Sequence, residues 1–545
     1  MAPEEKALVH GVLVIGGGVA GLEAARNLAY ANHEVHLIEK EPVLGGMVRR
    51  LNQLYPEGMP NSHTLDPLIE EVRKLGKVKI MTDTELMSVG GDPGNYQVKL
   101  RQGGKAKELA VGAIIVATGL KEYDVGRITP YGYGRHERVL TPIEFEEKLS
   151  NGEIEAEELR SVVIINCAGS RDRNYLPYCS RVCCLIGLKE AKFVKDTNAG
   201  TEVYVCHMDI RSYGSLDSLY NTLKDVYKVN FIQGRPSEVK EKNGSLYVVV
   251  EDAVLGQILN IPSDYIVLNH GYVGDEDTLS KLKIPLDFGD KGKFPTTYCN
   301  ATLSVDSNPR GIFVCGCAAY PKNMPETLVE ARSTALSAIN TLRDVSLKTA
   351  VPTIDSDVCA QMKCRLCLSV CPYEAIVEED DKIKIIPSVC MGCGICTATC
   401  ASGANQLEGF SDTELCEEVE RVVEEDDTVA FLCQWSAYPL CKEGEGGNFK
   451  KVKFIKLPCS GRASLGLIAK VFSYRPRNVL VAGCYPDACH YNRGNFVARR
   501  RIFAMKSLLE QFGISSDRLR IEWIGKQEAR KLKGVLEEMR EEQVK

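Results

Sequence analysis

The sequence has no apolar run long enough to cross a bilayer, which argues against a helical membrane span. Its start, MAPEEKALVHGVLVIGGG, carries charges followed at once by a strand-like run, so no secretory leader is expected. Neither charge sign is in large excess. The 67 Lys and Arg stand against 73 Asp and Glu, a net charge of −6 that gives no footprint for nucleic acid or an anionic lipid surface. No His–Asp–Ser set or paired-carboxylate constellation stands out, so hydrolytic chemistry has no carrier. The composition is 44% hydrophobic and 26% charged, ordinary globular usage. The 545 residues suffice for about three to four domains. Cysteine is abundant instead, at 22 residues. In a long chain without a leader, Cys-x2-Cys spacings point to metal sites in a reducing, cytoplasmic and anaerobic setting.

The densest cysteine stretch reads Cys359-x4-Cys364-x2-Cys367-x3-Cys371-Pro372 and, further on, Cys390-x2-Cys393-x2-Cys396-x3-Cys400. It resembles the two-cluster bacterial ferredoxins, in which the fourth Cys of each run ligates the other cluster. That resemblance gives one [4Fe–4S] cluster to Cys359, Cys364, Cys367 and Cys400, and a second to Cys371, Cys390, Cys393 and Cys396. The first run departs from the family in having four residues after Cys359. Paired Cys-x2-Cys also serves structural zinc. The Pro after Cys371 and the glycines at Gly392 and Gly394 favour iron–sulfur.

Near the start, Val12–Ile15 is a buried-strand pattern, Gly16-x-Gly18-x-x-Gly21 follows, and a helical stretch leads to Glu34–Glu39, a second strand ending in an acid. This is a dinucleotide fingerprint in its required context. Gly16 allows a tight turn, Gly18 a close approach of backbone to pyrophosphate, and Gly21 close helix–strand packing, while Glu39 would bond ribose hydroxyls. Ala113–Gly119 ends in Ala-Thr-Gly, and Gly311–Gly316 ends in glycine before Pro325-Glu326-Thr327 opens a helix. These stretches, with Gly45-Gly46-Met47, resemble thioredoxin reductase-like flavoproteins with two dinucleotide-binding domains. The resemblance implies FAD held by Gly16, Gly18, Gly21, Glu39, Lys40, Gly45, Gly46, Met47, Thr118, Gly119 and Gly316.

Such enzymes carry a second glycine fingerprint in an inserted NAD(P)H domain. Here the strand Ser161–Ile165 runs into Asn166-Cys167-Ala168-Gly169-Ser170-Arg171-Asp172, which is no such fingerprint. The same region holds Cys167, Cys179, Cys183 and Cys184, either buried apolar cysteines or a further cluster site. Cys167-x-Gly169-Ser170-Arg171-Asp172, Tyr178–Cys184, Met208–Arg211 and Pro321-Lys322-x2-Pro325-Glu326-Thr327 resemble the A-type subunit of heterodisulfide reductase and its relatives, among them subunits of the quinone-interacting membrane-bound oxidoreductase. The resemblance implies that these four cysteines hold a third [4Fe–4S] cluster and that Lys189 lies beside the flavin as its catalytic residue. Cys206, Cys299, Cys315, Cys317 and Cys416 fall outside every pattern and are expected to be core or surface residues.

Beyond an acidic stretch, Ser411–Thr428, strands at 429–432, 452–457, 478–482 and 519–524 alternate with helical segments, which predicts a small doubly wound parallel sheet. Cys433, Cys459, Cys484 and Cys489 fall at or beyond the carboxyl ends of its strands, where open α/β sheets bind ligands. Pro458–Arg462 and Gly483–Asn495 resemble the delta subunit of methyl-viologen-reducing hydrogenase, which implies a [2Fe–2S] cluster on those four cysteines. The family's Cys-x-Trp-Cys is Cys433-Gln434-Trp435-Ser436 here, with Cys441 in reserve. His490 is expected to pack beside the site rather than to ligate.

The expected fold is therefore α/β: a thioredoxin reductase-like FAD domain (1–125 and 285–345) with an inserted NAD-domain-like module (126–284), a two-cluster ferredoxin domain (350–410), an acidic helix or linker (411–428) and a hydrogenase-delta-like domain (429–545). The expected function is electron relay by FAD, three [4Fe–4S] clusters and one [2Fe–2S] cluster within a multi-subunit redox complex. The resemblance leans toward the B-type subunit of the quinone-interacting oxidoreductase, linking menaquinol to adenylylsulfate reductase in sulfate reduction. An electron-bifurcating heterodisulfide reductase subunit of the A type is the alternative, and a stand-alone NAD(P)H-dependent flavin disulfide reductase is a third. Expected partners are a second flavin subunit, heterodisulfide reductase B- or C-like subunits, or a membrane quinone-reacting subunit that would tie the chain to the inner membrane face.

Overall fold

The computed structural model describes residues 9–54, 59–92, 94–281, 294–295, 305–307, 311–343, 351–360, 363–387, 389–442, 451–486 and 488–541. These fall into two compact units, residues 9–343 and 351–541.

The first unit begins with β1 (Val12–Ile15), α1 (Val19–Tyr30), β2 (Val35–Ile38), β3 (Val78–Met81) and β4 (Ala113–Val116). It continues with β5 (Val139–Leu140), β6 (Ser161–Ala168), α2 (Cys183–Thr197), β7 (Glu202–His207), β8 (Asn230–Gln233), β9 (Tyr265–His270), β10 (Ile312–Val314) and α3 (Met324–Arg343). The first sheet has the order β10-β4-β1-β2-β3 and all its pairings are parallel. A strand covered on both faces must be apolar throughout. The run Val12-Leu13-Val14-Ile15 meets that need, and all four side chains are buried. Each such burial contributes about 1.5–3 kcal/mol. The chain leaves β1 toward β2 on one side and reaches β4 on the other, so the carboxyl end of β1 is a topological switch point. β10 joins this sheet only after the whole second sheet has been built, which makes the domain discontinuous.

The second sheet, β5-β9-β6-β7-β8, is also parallel. Three-stranded antiparallel ribbons at 84–111 and 236–263 cover one face of each sheet. Tyr96, Val98 and Leu100 alternate inward on the first of these, the period-two pattern of a half-buried strand.

In the second unit the short helix α4 (Leu366–Val370), a hairpin at 376–385 and an antiparallel pairing of Thr353–Ile354 with Asn405–Gln406 frame the ferredoxin-like cysteine runs. Next come α5 (Asp412–Val422), β11 (Thr428–Cys433), β12 (Val452–Leu457), α6 (Leu465–Ser473), β13 (Asn478–Gly483), α7 (Gly494–Gln511), β14 (Leu519–Trp523) and α8 (Ala529–Glu541). Their sheet is parallel with order β12-β11-β13-β14. The acidic stretch 411–428 is not a free linker. Ser411 and Glu414 form a capping box that starts α5, and Leu415 and Val419 pack into the core of the β11 sheet with Val429, Phe431 and Ile455. Among the described residues no helix is long and apolar enough to cross a membrane.

Candidate functional site

The glycine turn after β1 is shaped by close contacts. Gly16 adopts φ +111°, and a Cβ there would lie 2.4 Å from the Ala117 carbonyl oxygen. A Cβ on Gly21 would lie 1.9 Å from the oxygen of Gly16, so α1 can approach the turn only with glycine present. Glu39, at the end of β2, accepts the N–H of Gly17 on Oε2 at 2.6 Å and that of Glu41 on Oε1 at 3.0 Å. Its carboxylate thus braces the turn. Gly45 bridges Gly18, and Gly316, at the end of β10, meets Ala20 in the first turn of α1. Thr118 Oγ1 is buried without a hydrogen-bond partner, and a Cβ on Gly119 would meet nothing within 4 Å. An orphaned hydroxyl beside open space, and an α1 N-terminus with no side-chain cap, fit a dinucleotide cofactor here. The side chain of Lys40 is half exposed and lies 3.9 Å from Asp275.

Lys189 lies on α2 and is buried. Its ammonium pairs with Glu146 and, at 3.2 Å, with Glu190. Glu146 also accepts the N–H of Asn52 at 2.8 Å, and Lys189 Nζ lies 3.5 Å from the Gln53 carbonyl. The triad is therefore tied to the segment just beyond Gly45-Gly46-Met47. One ammonium cannot neutralise two buried carboxylates. Burial holds the Glu190 carboxyl well above the ordinary carboxylate range, opposed by Lys189 and reinforced by Glu146. Neither glutamate was singled out from sequence, and Lys189 is more fully paired than a lone lysine would be.

Cys167, Cys183 and Cys184 gather in a buried group with Met208 against them. Cys167 interrupts the pairing of β6 with β9 and has φ +59°, so a bulge turns its thiol out of the strand's alternation. It comes within 3.9 Å of Cys183 Sγ at the start of α2. Hydrogen bonds from Cys167 and Cys184 hold the Cys183 thiol well below its ordinary range. The same contacts and burial push Cys167 and Cys184 up. Cys179, half buried, accepts the N–H of Arg181 at 3.3 Å and lies near enough to Cys167 and Cys184 to help raise both. The second sheet thus has a cysteine group where a second glycine turn would stand.

In the second unit, Cys371, Cys390, Cys393 and Cys396 line one pocket with Pro372 and Tyr373. Burial pushes Cys390 up to about 12 and raises Cys393 and Cys396. The other expected set is looser. Cys367 is raised to about 11, first by burial and then by Cys396 and Cys359. Cys364 is exposed, and Cys400 Sγ lies 3.6 Å from Ser402 Oγ.

Cys433 closes β11, Cys459 follows β12 and Cys484 follows β13, and all three are buried with Cys489 in one group. Hydrogen bonds from Cys433 and Cys489 hold Cys484 far below its ordinary range, while Cys433 and Cys489 are raised. Ser436, buried next to Cys484, also lowers it. Trp435 stacks on His490 with ring centroids 3.7 Å apart and donates to Tyr491 Oη at 3.0 Å, so His490 packs beside the thiols. Cys441 is not part of this group. Its Sγ points to the Ala437 carbonyl, within a different core that includes Leu440 and Leu536. Cys371, Cys390 and Cys393 belong to the same apolar group as the four C-terminal cysteines.

Among the described residues no three such side chains close on a single-ion position. Cys371, Cys390, Cys393 and Cys396 share one pocket, and Cys433, Cys459, Cys484 and Cys489 share one buried group. Cys206 and Cys315 are buried, Cys317 and Cys416 half buried, and Cys299 lies outside the described residues.

A dinucleotide cradle with four cysteine-rich segments, in this α/β fold, defines an oxidoreductase subunit of flavin and iron–sulfur type. Residues 10–165 match the pyridine nucleotide-disulphide oxidoreductase family, and residues 428–545 match the methyl-viologen-reducing hydrogenase delta subunit. An A-type iron-sulfur subunit of the CoB–CoM heterodisulfide reductase of Methanopyrus kandleri is 30% identical over 479 residues, covering 70% of this chain and 71% of that protein. The A-type subunit of the H2:CoB–CoM heterodisulfide,ferredoxin reductase of Methanothermobacter thermautotrophicus is 29% identical over 464 residues, covering 68% and 70%. Among solved structures, Lactococcus lactis thioredoxin reductase is 18% identical over 62% of this chain and 100% of its own, with a TM-score of 0.45. The chain belongs to the family of A-type heterodisulfide reductase subunits. The lean toward the quinone-interacting oxidoreductase and sulfate reduction is corrected by these relatives, which are heterodisulfide reductase subunits.

Proposed function

We propose that this chain is the flavin-bearing electron-transfer subunit of a heterodisulfide reductase-type complex, and that it divides electron pairs between acceptors of higher and lower potential. FAD, when bound, exchanges electron pairs for single electrons, and iron–sulfur clusters carry the single electrons onward. The chain's own residues do the holding. The turn at Gly16, Gly18 and Gly21, braced by Glu39, takes the dinucleotide phosphates. Gly45, Gly46, Met47, Thr118, Gly119 and Gly316 close on the cofactor, and Lys40 borders it. Lys189, anchored by Glu146 and Glu190, fixes a charge beside the redox-active ring.

On this reading Cys167, Cys179, Cys183 and Cys184 hold one [4Fe–4S] cluster, and the two ferredoxin-like sets hold two more. Cys433, Cys459, Cys484 and Cys489 hold a [2Fe–2S] cluster. The observation that carries the proposal is the shared buried group in the second unit. Cys371, Cys390 and Cys393 are packed with the four C-terminal cysteines, as a continuous path for single electrons requires. Partner subunits of the complex supply donor and acceptors, and the chain works on the cytoplasmic side.

The test is iron, acid-labile sulfide and flavin per chain after anaerobic purification, with EPR after dithionite. About fourteen iron atoms and one FAD are expected from these ligand sets. About eight iron atoms would restrict loading to the ferredoxin-like stretch and sink the path. Rapid bleaching of the flavin by NAD(P)H would overturn this reading in favour of a stand-alone reductase.

A further inference from the structure

Two arginines occupy the junction between the ferredoxin-like pocket and the C-terminal cysteine group. Arg462 follows Cys459 in the turn Ser460–Arg462 and is fully buried. Its stem lies against Gly394, where a Cβ would stand 2.7 Å from Arg462 Cδ. Arg462 Nε donates to the Phe410 carbonyl and Nη2 to Asp412 Oδ1, each at 2.8 Å, while Nη1 is buried without a partner. Arg501, on α7, donates to the carbonyls of Gly461 and, at 3.0 Å, Ile395, and also to Thr399 Oγ1. Both side chains therefore span from the turn after Cys459 to the loop containing Cys393 and Cys396.

The charges in this junction do not balance within the protein. Arg462 pairs with one carboxylate, Asp412, whose side chain is 37% exposed, whereas the contacts of the part-buried Arg501 are with carbonyl and hydroxyl oxygens. The two cations also oppose each other. Burial, then Arg462, lower Arg501 to about 10, while Cys459, Cys393 and Cys396 act in the opposite direction. A cation drawn partly out of water without a full counter-charge is unfavourable. The groups positioned to supply the missing negative charge are the thiolates on either side.

We propose that Arg462 and Arg501 are positioning residues that set the reduction potentials of the two adjoining cysteine sites, Cys371/Cys390/Cys393/Cys396 and Cys433/Cys459/Cys484/Cys489. The proposal rests on the reading that both sites carry clusters. Reduction adds one electron, and thus one negative charge, to a site without moving an atom. A fixed cation between the sites favours that added charge at both and raises both potentials together. Asp412 opposes the effect by partly cancelling Arg462.

The experiment is an EPR-monitored redox titration of the full chain, purified anaerobically, with iron counted in every variant. Arg501→Gln is expected to lower the midpoints of both sites by about 59 mV, a tenfold change for a one-electron couple. Arg501→Lys, which keeps the charge, should restore most of that shift, although it loses the forked hydrogen bonds. Asp412→Asn, at a partly exposed side chain, should move both midpoints the other way. Loaded Arg501→Gln with unmoved midpoints overturns the proposal. If Arg501→Gln loses iron, Asp412→Asn decides: a rise supports the proposal and an unmoved midpoint overturns it. A wild-type chain holding only about eight iron atoms fails at the underlying reading instead.

Discussion

The sulfur of Cys459 lies where a side chain on Gly494 would begin: a Cβ at Gly494 would stand 2.1 Å from Cys459 Sγ and 3.6 Å from that of Cys489. Gly494 opens α7 with φ outside the left-handed region, so alanine meets no backbone penalty there. Gly494→Ala should therefore act by displacing Cys459 alone. The expected outcome is loss of about two iron atoms per chain, the content of one [2Fe–2S] cluster, with the other EPR signals retained. Gly466→Ala, in α6 with nothing within 4 Å of its would-be Cβ, is the control. It should leave iron unchanged and raise stability by up to about 1 kcal/mol.

Cys489 and Cys441 should separate in the same assay. Cys489→Ala removes a thiol hydrogen-bonded to Cys484 and Cys459, and should release the C-terminal iron. Cys441→Ala alters a half-buried thiol in another core and should leave iron content as in the wild type. Equal iron loss in both would contradict this assignment.

The buried triad gives a pH signature. The folded-state carboxyl of Glu190 is raised well above its ordinary value of 4.5, so the folded chain binds its proton more tightly than the unfolded chain does. That contribution is fully present below 4.5 and is lost as pH rises toward the folded value. Glu190→Gln removes the titration, while Glu146 still pairs with Lys189. Chemical denaturation from pH 5 to pH 8 should show a flatter stability profile than the wild type, with equal or greater stability at pH 8. Lys189→Met leaves Glu146 and Glu190 without their cation and should cost about 3–5 kcal/mol at neutral pH.

Glu39→Ala leaves the N–H groups of Gly17 and Glu41 without an acceptor in the cradle. A lost charge-assisted bond costs about 1.5–3 kcal/mol, so flavin affinity should fall by about tenfold or more. Titration of the deflavinated protein with FAD checks this. Unchanged affinity would place the cofactor away from Glu39.

The glycine turn was legible because its constraints are local. Gly16, Gly18 and Gly21 lie within six residues, and a buried parallel strand leaves an unbroken apolar run on one side of them. Cys371, Cys390, Cys393 and Cys396 line one pocket, the grouping their spacing suggested, whereas Cys364, expected in the other ferredoxin-like set, is exposed. The acidic stretch 411–428 was harder to read. Its charge left a short helix or a linker open; Leu415 and Val419, four residues apart on one helix face, bury α5 in the sheet core. Ser436, where the hydrogenase-delta family has cysteine, looked like a loss from the set, yet it remains buried beside Cys484.

The sequence by itself determined the cofactor classes this protein is built for, because fingerprints and ligand runs depend on residues close together along the chain. Only the tertiary structure decided what surrounds them. It paired Lys189 with Glu146 across 43 positions, and it brought Arg501 to Ile395 across 106. It also gathered Cys393 into one core with Cys459 and excluded Cys441 from it. Burial and charge compensation act through space, and no local pattern encodes which distant group will be there to neutralise a given charge.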